Sequence, residues 1–445
     1  MRNLVARLRS TGFYRLYNLK DEMAQGRTVM LTSSIIINVI AWMTGSLFYT
    51  SFLMENGIDL VKIGIISFVP YIANCFSIFA PSILERFARR RWVLFAGRLT
   101  YYTLNILAVT IMPMVVRDQA LKMVLFTIII FAANIINALF SGGYAAWHLN
   151  FIPDSVRADY LASSSIVSSF VGLGMGLVSS LVADAFAASP HAYTIIVALR
   201  FAAYGLALVE MWALASPVEY PYPRSTDKVR FLDIFTKPLS QHRFLLIQVI
   251  MFLWTLFINT DVSAVNYYLL NDVGTSYTFI SIINMLYPVI MLLFMRPAKR
   301  IIARIGWLRS FAYGALAYAV PSAVYSFVTA SNYLWLLTAV RLAQHVIGVL
   351  MNTAYANMPY INLPEEDRVD YLAFNTLAVN AAAFLGMVAG TWFVGAFPDL
   401  TLTLGAFTFG NIQLLMWVEA FGRVLVPVIT LLLMGRISPD SELSR

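Results

Sequence analysis

Asp261, Arg341 and His345 are ionisable side chains set inside long apolar segments, where a charge costs several kcal/mol unless it is paired or wetted. At ~1.5 Å per helical residue, Asp261 lies roughly 13 Å and Arg341 roughly 12 Å in from the external end of its segment, so the two can face one another. His345 follows Arg341 by one helical turn and can share or relay a proton. This is chemistry for holding a polar solute or carrying a coupling ion. The competing reading is a permanent Asp261–Arg341 pair that only ties helices together. Other buried charges read as structural: Arg98 with Glu210 at matching depth, Glu419 with Arg423 four apart on one helix face, and Arg200 reaching toward Asp184.

The elements that must position these groups are membrane helices. The 445 residues are 60% hydrophobic and 12% charged, with a mean hydropathy of +0.73, too little polar surface for a soluble globule. A helix needs ~20 apolar residues to cross the bilayer. Nearly everything after Thr28 divides into such pieces, at about 28–54, 60–84, 91–115, 121–150, 159–187, 191–216, 243–270, 275–303, 307–330, 333–363, 370–397 and 402–434. The expected fold class is therefore an all-α polytopic membrane protein of twelve transmembrane helices. Strand-type alternation, the mark of an outer-membrane barrel, is missing. The single Cys75 excludes an internal disulfide framework and any multi-cysteine metal site. No metal and no cofactor are expected.

The net charge of +8 is not a nucleic-acid signal, because the basic residues cluster in short loops and at the amino terminus. On one side of the bilayer fall 24 of the 31 Lys and Arg, against three, Lys62, Arg117 and Lys122, on the other. That asymmetry puts both termini in the cytoplasm of a cytoplasmic-membrane protein. The expected organisation is a cytoplasmic amphipathic segment at 1–27, a six-helix half at 28–216, a cytoplasmic linker at 217–242 rich in proline and basic residues, a second six-helix half at 243–434 and a tail at 435–445.

A half-chain repeat supports the division. Pro153-Asp-Ser-Val-Arg157-Ala-Asp159-Tyr160-Leu161-Ala162 returns as Pro364-Glu-Glu-Asp-Arg368-Val-Asp370-Tyr371-Leu372-Ala373, identical at six of ten positions. Twelve spans, cytoplasmic ends, a basic linker and this repeat resemble the major facilitator superfamily. The most specific local likeness is the loop after the second span, Pro81-Ser-Ile-Leu-Glu85-Arg86-Phe87-Ala88-Arg89-Arg90-Arg91, which keeps that family's acid and basic residues while Pro81 and Ala88 stand where glycines are usual.

The resemblance implies a secondary transporter working by alternating access, not an enzyme. It implies a cytoplasmic gate drawn from Glu85, Arg86, Arg89, Arg90, Arg157, Asp159, Arg368 and Asp370, with Glu85 engaging Arg157, and a central cavity lined by spans one, four, seven and ten. Those spans carry Asn38, Trp42, Asn134, Asn137, Trp254, Asn259, Asn266, Gln344 and Asn352 beside Asp261, Arg341 and His345. Amide and aromatic side chains together favour a neutral, hydroxyl-rich solute such as a sugar or glycoside, with a proton as coupling ion on Asp261 and His345. The same residue types also join helices, as do the small-residue pairs Gly172/Gly176 and Gly386/Gly390. The expected partners are a small solute, H+ and the lipid bilayer, for a chain acting as a monomer. The alternatives are an exporter of amphipathic drugs or lipids, a membrane-embedded lipid-modifying enzyme, which would need convergent catalytic groups that the four histidines do not supply, and a nutrient sensor.

Overall fold

The computed structural model describes residues 16–17, 21–84, 86–87, 89–219, 233–364, 368–405 and 407–437. In chain order the helices are α1 (Glu22–Thr44), α2 (Ser46–Glu55), α3 (Leu60–Asn74), α4 (Ala80–Leu84), α5 (Arg91–Tyr102), α6 (Val109–Val115), α7 (Gln119–Leu149), α8 (Asp154–Ala185), α9 (Ala192–Leu214), α10 (Asp233–Ser240), α11 (His242–Ile258), α12 (Val262–Tyr267), α13 (Tyr277–Ile305), α14 (Trp307–Tyr325), α15 (Tyr333–Asn357), α16 (Arg368–Ala396) and α17 (Asn411–Ile437). Among the described residues, eleven helical stretches are long and apolar enough to cross a membrane. The remaining expected span, α14, is a 19-residue helix whose hydropathy is lowered by Arg309, Ser310, Ser322 and three tyrosines. The chain is an all-α polytopic membrane protein, in which helices satisfy most backbone groups internally.

Polar residues set the helix starts. Asp21, Asp59, Asp118 and Ser276 each accept a hydrogen bond from the backbone N–H three residues on, at 2.7–3.2 Å. The first helix thus begins at Glu22, inside the segment expected to lie on the membrane surface; of that segment's earlier residues only Leu16, Tyr17 and Asp21 are described. Gly306, at φ +81°, joins α13 directly to α14, with its N–H donating to Ile302 O at 2.8 Å.

Two expectations change. Hydropathy starts the last span at residue 402, but α17 begins at Asn411, and Leu402–Leu404 pairs with Phe407–Phe409 as an antiparallel hairpin, with Gly405 at φ +61° in its turn. The stretch alternates threonine with leucine or phenylalanine, which suits a strand better than a helix. The seventh span is not one helix: α11 stops at Ile258, Asn259–Asp261 form a break, and α12 resumes at Val262.

The chain divides into two compact units, one of Met1–Gly57 with Phe76–Lys228 and one of Ile58–Cys75 with Val229–Arg445. The first is built on α1, α5 and α9, whose Ile36, Ile40, Met43, Tyr102, Ala203 and Ala207 form a buried cluster. Here α8 lies close against α1, because Gly172 and Gly176 leave room for Asn38 and the Trp42 ring; a Cβ at either glycine would come within 2.9 Å of them. In the second unit, Trp254, Phe311, Ala315, Met351 and Val426 join α11, α14, α15 and α17. Its helix α3 packs along α16, with Gly64 against Thr391 and Phe68 edge-on to Phe384 at 5.2 Å.

The repeated stretch has the same structural job in each unit. Tyr160 is fully buried and its hydroxyl donates to Arg27 O at 3.3 Å, beside the start of α1. Tyr371 is likewise buried and donates to Lys237 O at 3.3 Å, just before α11, with its ring edge-on to Phe244.

Candidate functional site

The break in the seventh span puts Asp261 where a continuous helix would not. At Asn259 and Thr260 the ladder tightens, with Asn259 N–H reaching Leu256 O and Thr260 N–H reaching Phe257 O. The Asn259 amide donates to Thr255 O at 2.7 Å and the Thr260 hydroxyl to Phe257 O at 2.8 Å, so the local side chains occupy carbonyls near the break. Across it, α16 presents Gly386 and Gly390, and a Cβ on either would overlap the carbonyl oxygen of Leu256 or Thr260. Broken membrane helices of this kind are tolerated where they line a protein cavity.

Asp261 faces such a cavity, of about 240 Å³, inside the second unit. Asn266, Arg341 and Gln344 line it with Tyr318, Ser322 and Tyr325 of α14 and Glu419 and Arg423 of α17. Arg341 donates to Gln344 Oε1 at 3.2 Å and to the Tyr325 hydroxyl at 3.1 Å. Its guanidinium lies 4.8 Å from the Tyr325 ring centroid. Arg423 pairs through Nε with Glu419 Oε1, stacks 4.3 Å from the Tyr318 ring and lies 5.1 Å from that of Trp254. Among the described residues, no ion pair involves Asp261 or Arg341.

The first unit holds its own cavity, of about 320 Å³, lined by Thr44, Tyr101, Asn105, Asn137, Phe140, Ser141 and Tyr144. At its edge Arg98 and Glu210 pair at 2.7 Å, and the buried carboxylate also accepts from Ser33 and Tyr102. The expected pair therefore forms, with every charge satisfied. Arg200 does not reach Asp184: it donates to Thr110 Oγ1 at 2.8 Å and to the carbonyls of Thr44 and Asn105 at 3.4 and 3.2 Å. Asn105 lies in the π-helical turn Thr103–Ala108, where the wider winding interrupts the ordinary ladder.

The remaining candidates have other places. His345 donates Nε2–H to Ile283 O at 3.0 Å and lies outside the lining of the Asp261 cavity. Asn38 donates to Ser34 O and packs with Trp42 on the glycines of α8; Asn134 donates to Ile130 O; Asn352 donates to Tyr287 OH. Trp254 is buried behind Arg423. Of the gate residues, Glu85 and the side chains of Arg157, Asp159 and Arg368 lie outside the described residues. Arg86 and Arg89 are exposed, Arg90 gives its backbone N–H to Glu219, and Asp370 pairs with Lys237 at 3.0 Å.

Spacing alone assigns Glu419 and Arg423 to the scaffold and gives Tyr318, Ser322 and Tyr325 no role, yet all five line the cavity. A signal was present, since those three recur at helical spacing on the least hydropathic of the spans.

No family model and no curated protein matches the sequence. Solved structures do match in shape. A crystal structure of the nucleoside transporter NupG is similar with TM-score 0.70 and 11% identity, covering 93% of this chain and 99% of that one. A D-xylose-proton symporter gives 0.64 and 14% identity, covering 95% and 99%. A POT family transporter in complex with 5-aminolevulinic acid gives 0.65 and 12%, covering 94% and 96%. Helix order, the half-chain repeat and these whole-length matches agree that the chain has the major facilitator superfamily fold.

Proposed function

We propose that the protein is a secondary active transporter that moves a small polar solute by alternating access, with Asp261 taking and releasing a coupling proton. The observation that carries this is the unpaired Asp261 carboxylate at a helix break, facing a polar cavity. A charge held at membrane depth without a salt-bridge partner serves binding or coupling better than scaffolding. His345 is engaged with a backbone carbonyl, so the coupling role rests on Asp261 alone. The aromatic and amide lining of the first unit's cavity, Tyr101, Phe140, Asn105 and Asn137 among it, supports a hydroxyl-rich solute of sugar or glycoside type. The Lys and Arg asymmetry supports a cytoplasmic-membrane location with both termini inside.

The test is reconstitution in liposomes with a pH-sensitive dye inside. Solute-driven pH change is expected for the wild type and not for Asp261→Asn. Movement that survives in the variant would return Asp261 to a structural role, and no movement with any sugar, nucleoside or sugar acid would overturn proton coupling.

A further inference from the structure

Four formal charges meet in the 240 Å³ cavity of the second unit, and only two of them neutralise each other. Glu419 and Arg423 form their own pair along α17. Arg341 spends two of its five N–H donors on neutral oxygens, those of Gln344 and Tyr325, and among the described residues it meets no carboxylate. Nη1 of Arg423 is buried in the same wall without a hydrogen-bond partner. Arg341 therefore keeps N–H donors for whatever enters the cavity, and a planar fork is matched best by a carboxylate, which it can bind through two parallel hydrogen bonds.

Charge balance adds the second half of the argument. With Asp261 and Glu419 ionised, the two carboxylates and two guanidiniums sum to zero. A monoanion arriving at Arg341 would leave a net negative charge away from bulk water, which is costly. The charged and titratable groups around Asp261 are Glu419 and Arg423 of α17, Arg341 of α15, and Tyr318 and Tyr325 of α14. Glu419 is committed to Arg423, so Asp261 is the base left to take a proton. A neutral solute creates no such demand.

We propose that the transported solute is a small monocarboxylate whose carboxylate is held by Arg341, and that Asp261 takes up the proton balancing its charge. This rests on the reading of Asp261 as the coupling carboxylate and narrows the polar solute of that reading to one that carries a carboxylate, a sugar acid in place of a neutral sugar or glycoside. A volume below the ~300 Å³ at which drug-sized pockets begin favours a compact acid.

The test measures binding rather than transport, so that its failure is separable from a failure of the transporter reading. Purified protein in nanodiscs is titrated with matched acid and neutral probes, glucuronate against glucose, lactate against glycerol and benzoate against benzyl alcohol, following thermal shift and calorimetry from about pH 5 to about pH 8. The acid of at least one pair is expected to bind at least about tenfold more tightly than its neutral partner, with affinity rising up to about tenfold per unit fall in pH. Arg341→Gln should lose that preference. Asp261→Asn, a fixed neutral stand-in for the protonated acid, should keep the acid bound and flatten the pH slope. Neutral probes binding as tightly, no acid binding, unchanged acid affinity in Arg341→Gln, or affinity that falls with falling pH would each overturn the proposal. Proton-coupled uptake of a neutral sugar in liposomes would leave the transporter reading standing while removing this one.

Discussion

Asp261 and Arg341 line one cavity and do not pair: the guanidinium turns to the Tyr325 hydroxyl at 3.1 Å and to Gln344, and the carboxylate is left facing open space. No contact joins them, but each lies in the other's field across one cavity, so the cycle of Asp261→Asn and Arg341→Gln should show a coupling energy of only about 0.5–1 kcal/mol, well below that of a direct pair. The Glu419–Arg423 pair supplies the contrast. Removing either partner alone should cost about 3–5 kcal/mol, and the two losses should be strongly non-additive, since each strands the other charge. Both cycles can be read by unfolding in mixed micelles. Coupling between Asp261 and Arg341 as large as that of the α17 pair would show a locked scaffold.

The break in the seventh span depends on the glycines of α16. Gly390→Ala would drive a methyl group into the Thr260 carbonyl, and since backbone cannot swing aside, α11 and α16 must separate. A loss of at least about 1–3 kcal/mol is expected, together with loss of transport. Gly174→Ala is the control: nothing stands within 4 Å of its Cβ position, so the change should stabilise α8 by roughly 0.5–1 kcal/mol. Equal effects at the two positions would refute the close-approach argument.

Glu210 is the opposite kind of carboxylate from Asp261. It is fully buried and takes hydrogen bonds from Ser33 and Tyr102 beside its 2.7 Å contact with Arg98. Glu210→Ala should destabilise by about 3–5 kcal/mol, by leaving Arg98 without a counter-charge. Ser33→Ala removes one bond to a charged acceptor and should cost about 1.5–3 kcal/mol, with solute binding unaltered. A Ser33→Ala protein that is as stable as wild type but defective in binding would move this cluster from scaffold to site.

How far the sequence reaches is clear from particular residues. Membrane helices are legible because about twenty apolar residues in a row have one stable outcome in lipid. Asp261 and Arg341 stood out for the same reason, as charges where charge is expensive. Hydropathy says little about the face a residue occupies, so Asn38 and Trp42, which pack on glycines, look like cavity residues, while Tyr325, which holds Arg341, looks like filler. It is equally insensitive to a helix break inside an apolar run, as at Asn259–Asp261, and to an apolar hairpin abutting a span, as at Leu402–Phe409.

Asp59 tests the membrane boundary of α3 through pH. Burial raises the pKa of its carboxyl, but the hydrogen bonds and charge of Lys62, whose ammonium lies 2.5 Å away, outweigh that and hold it below the ordinary value. A depressed folded-state pKa contributes stability that is present above the unfolded value of about 3.9 and lost as pH falls through the folded one. Since the pair is more than half exposed on the aspartate side, the effect is small. The difference in unfolding midpoint between wild type and Asp59→Asn should therefore be greatest near neutral pH and close below about pH 4. A difference that widens on acidification would reverse the sign and reject the capping role.

The repeated tyrosines give the last prediction, because one hydroxyl ties Tyr160 to α1 at Arg27 and another ties Tyr371 to α10 at Lys237. Tyr160→Phe and Tyr371→Phe remove the bonds to Arg27 O and Lys237 O while keeping the buried rings, so each should cost about 0.5–1.5 kcal/mol. Tyr160 should lose the more, since its hydroxyl also meets His148 Nε2 at 2.6 Å. Tyr371→Ala additionally empties the space beside Phe244 and should cost about 3–5 kcal/mol, on the scale of aromatic-to-alanine core changes. Limited proteolysis near Lys237 reads the same change locally: if α10 is held by Tyr371, cleavage there should quicken in Tyr371→Phe and stay at the wild-type rate in Tyr160→Phe. Equal acceleration in both variants would mean global loosening rather than two separate ties.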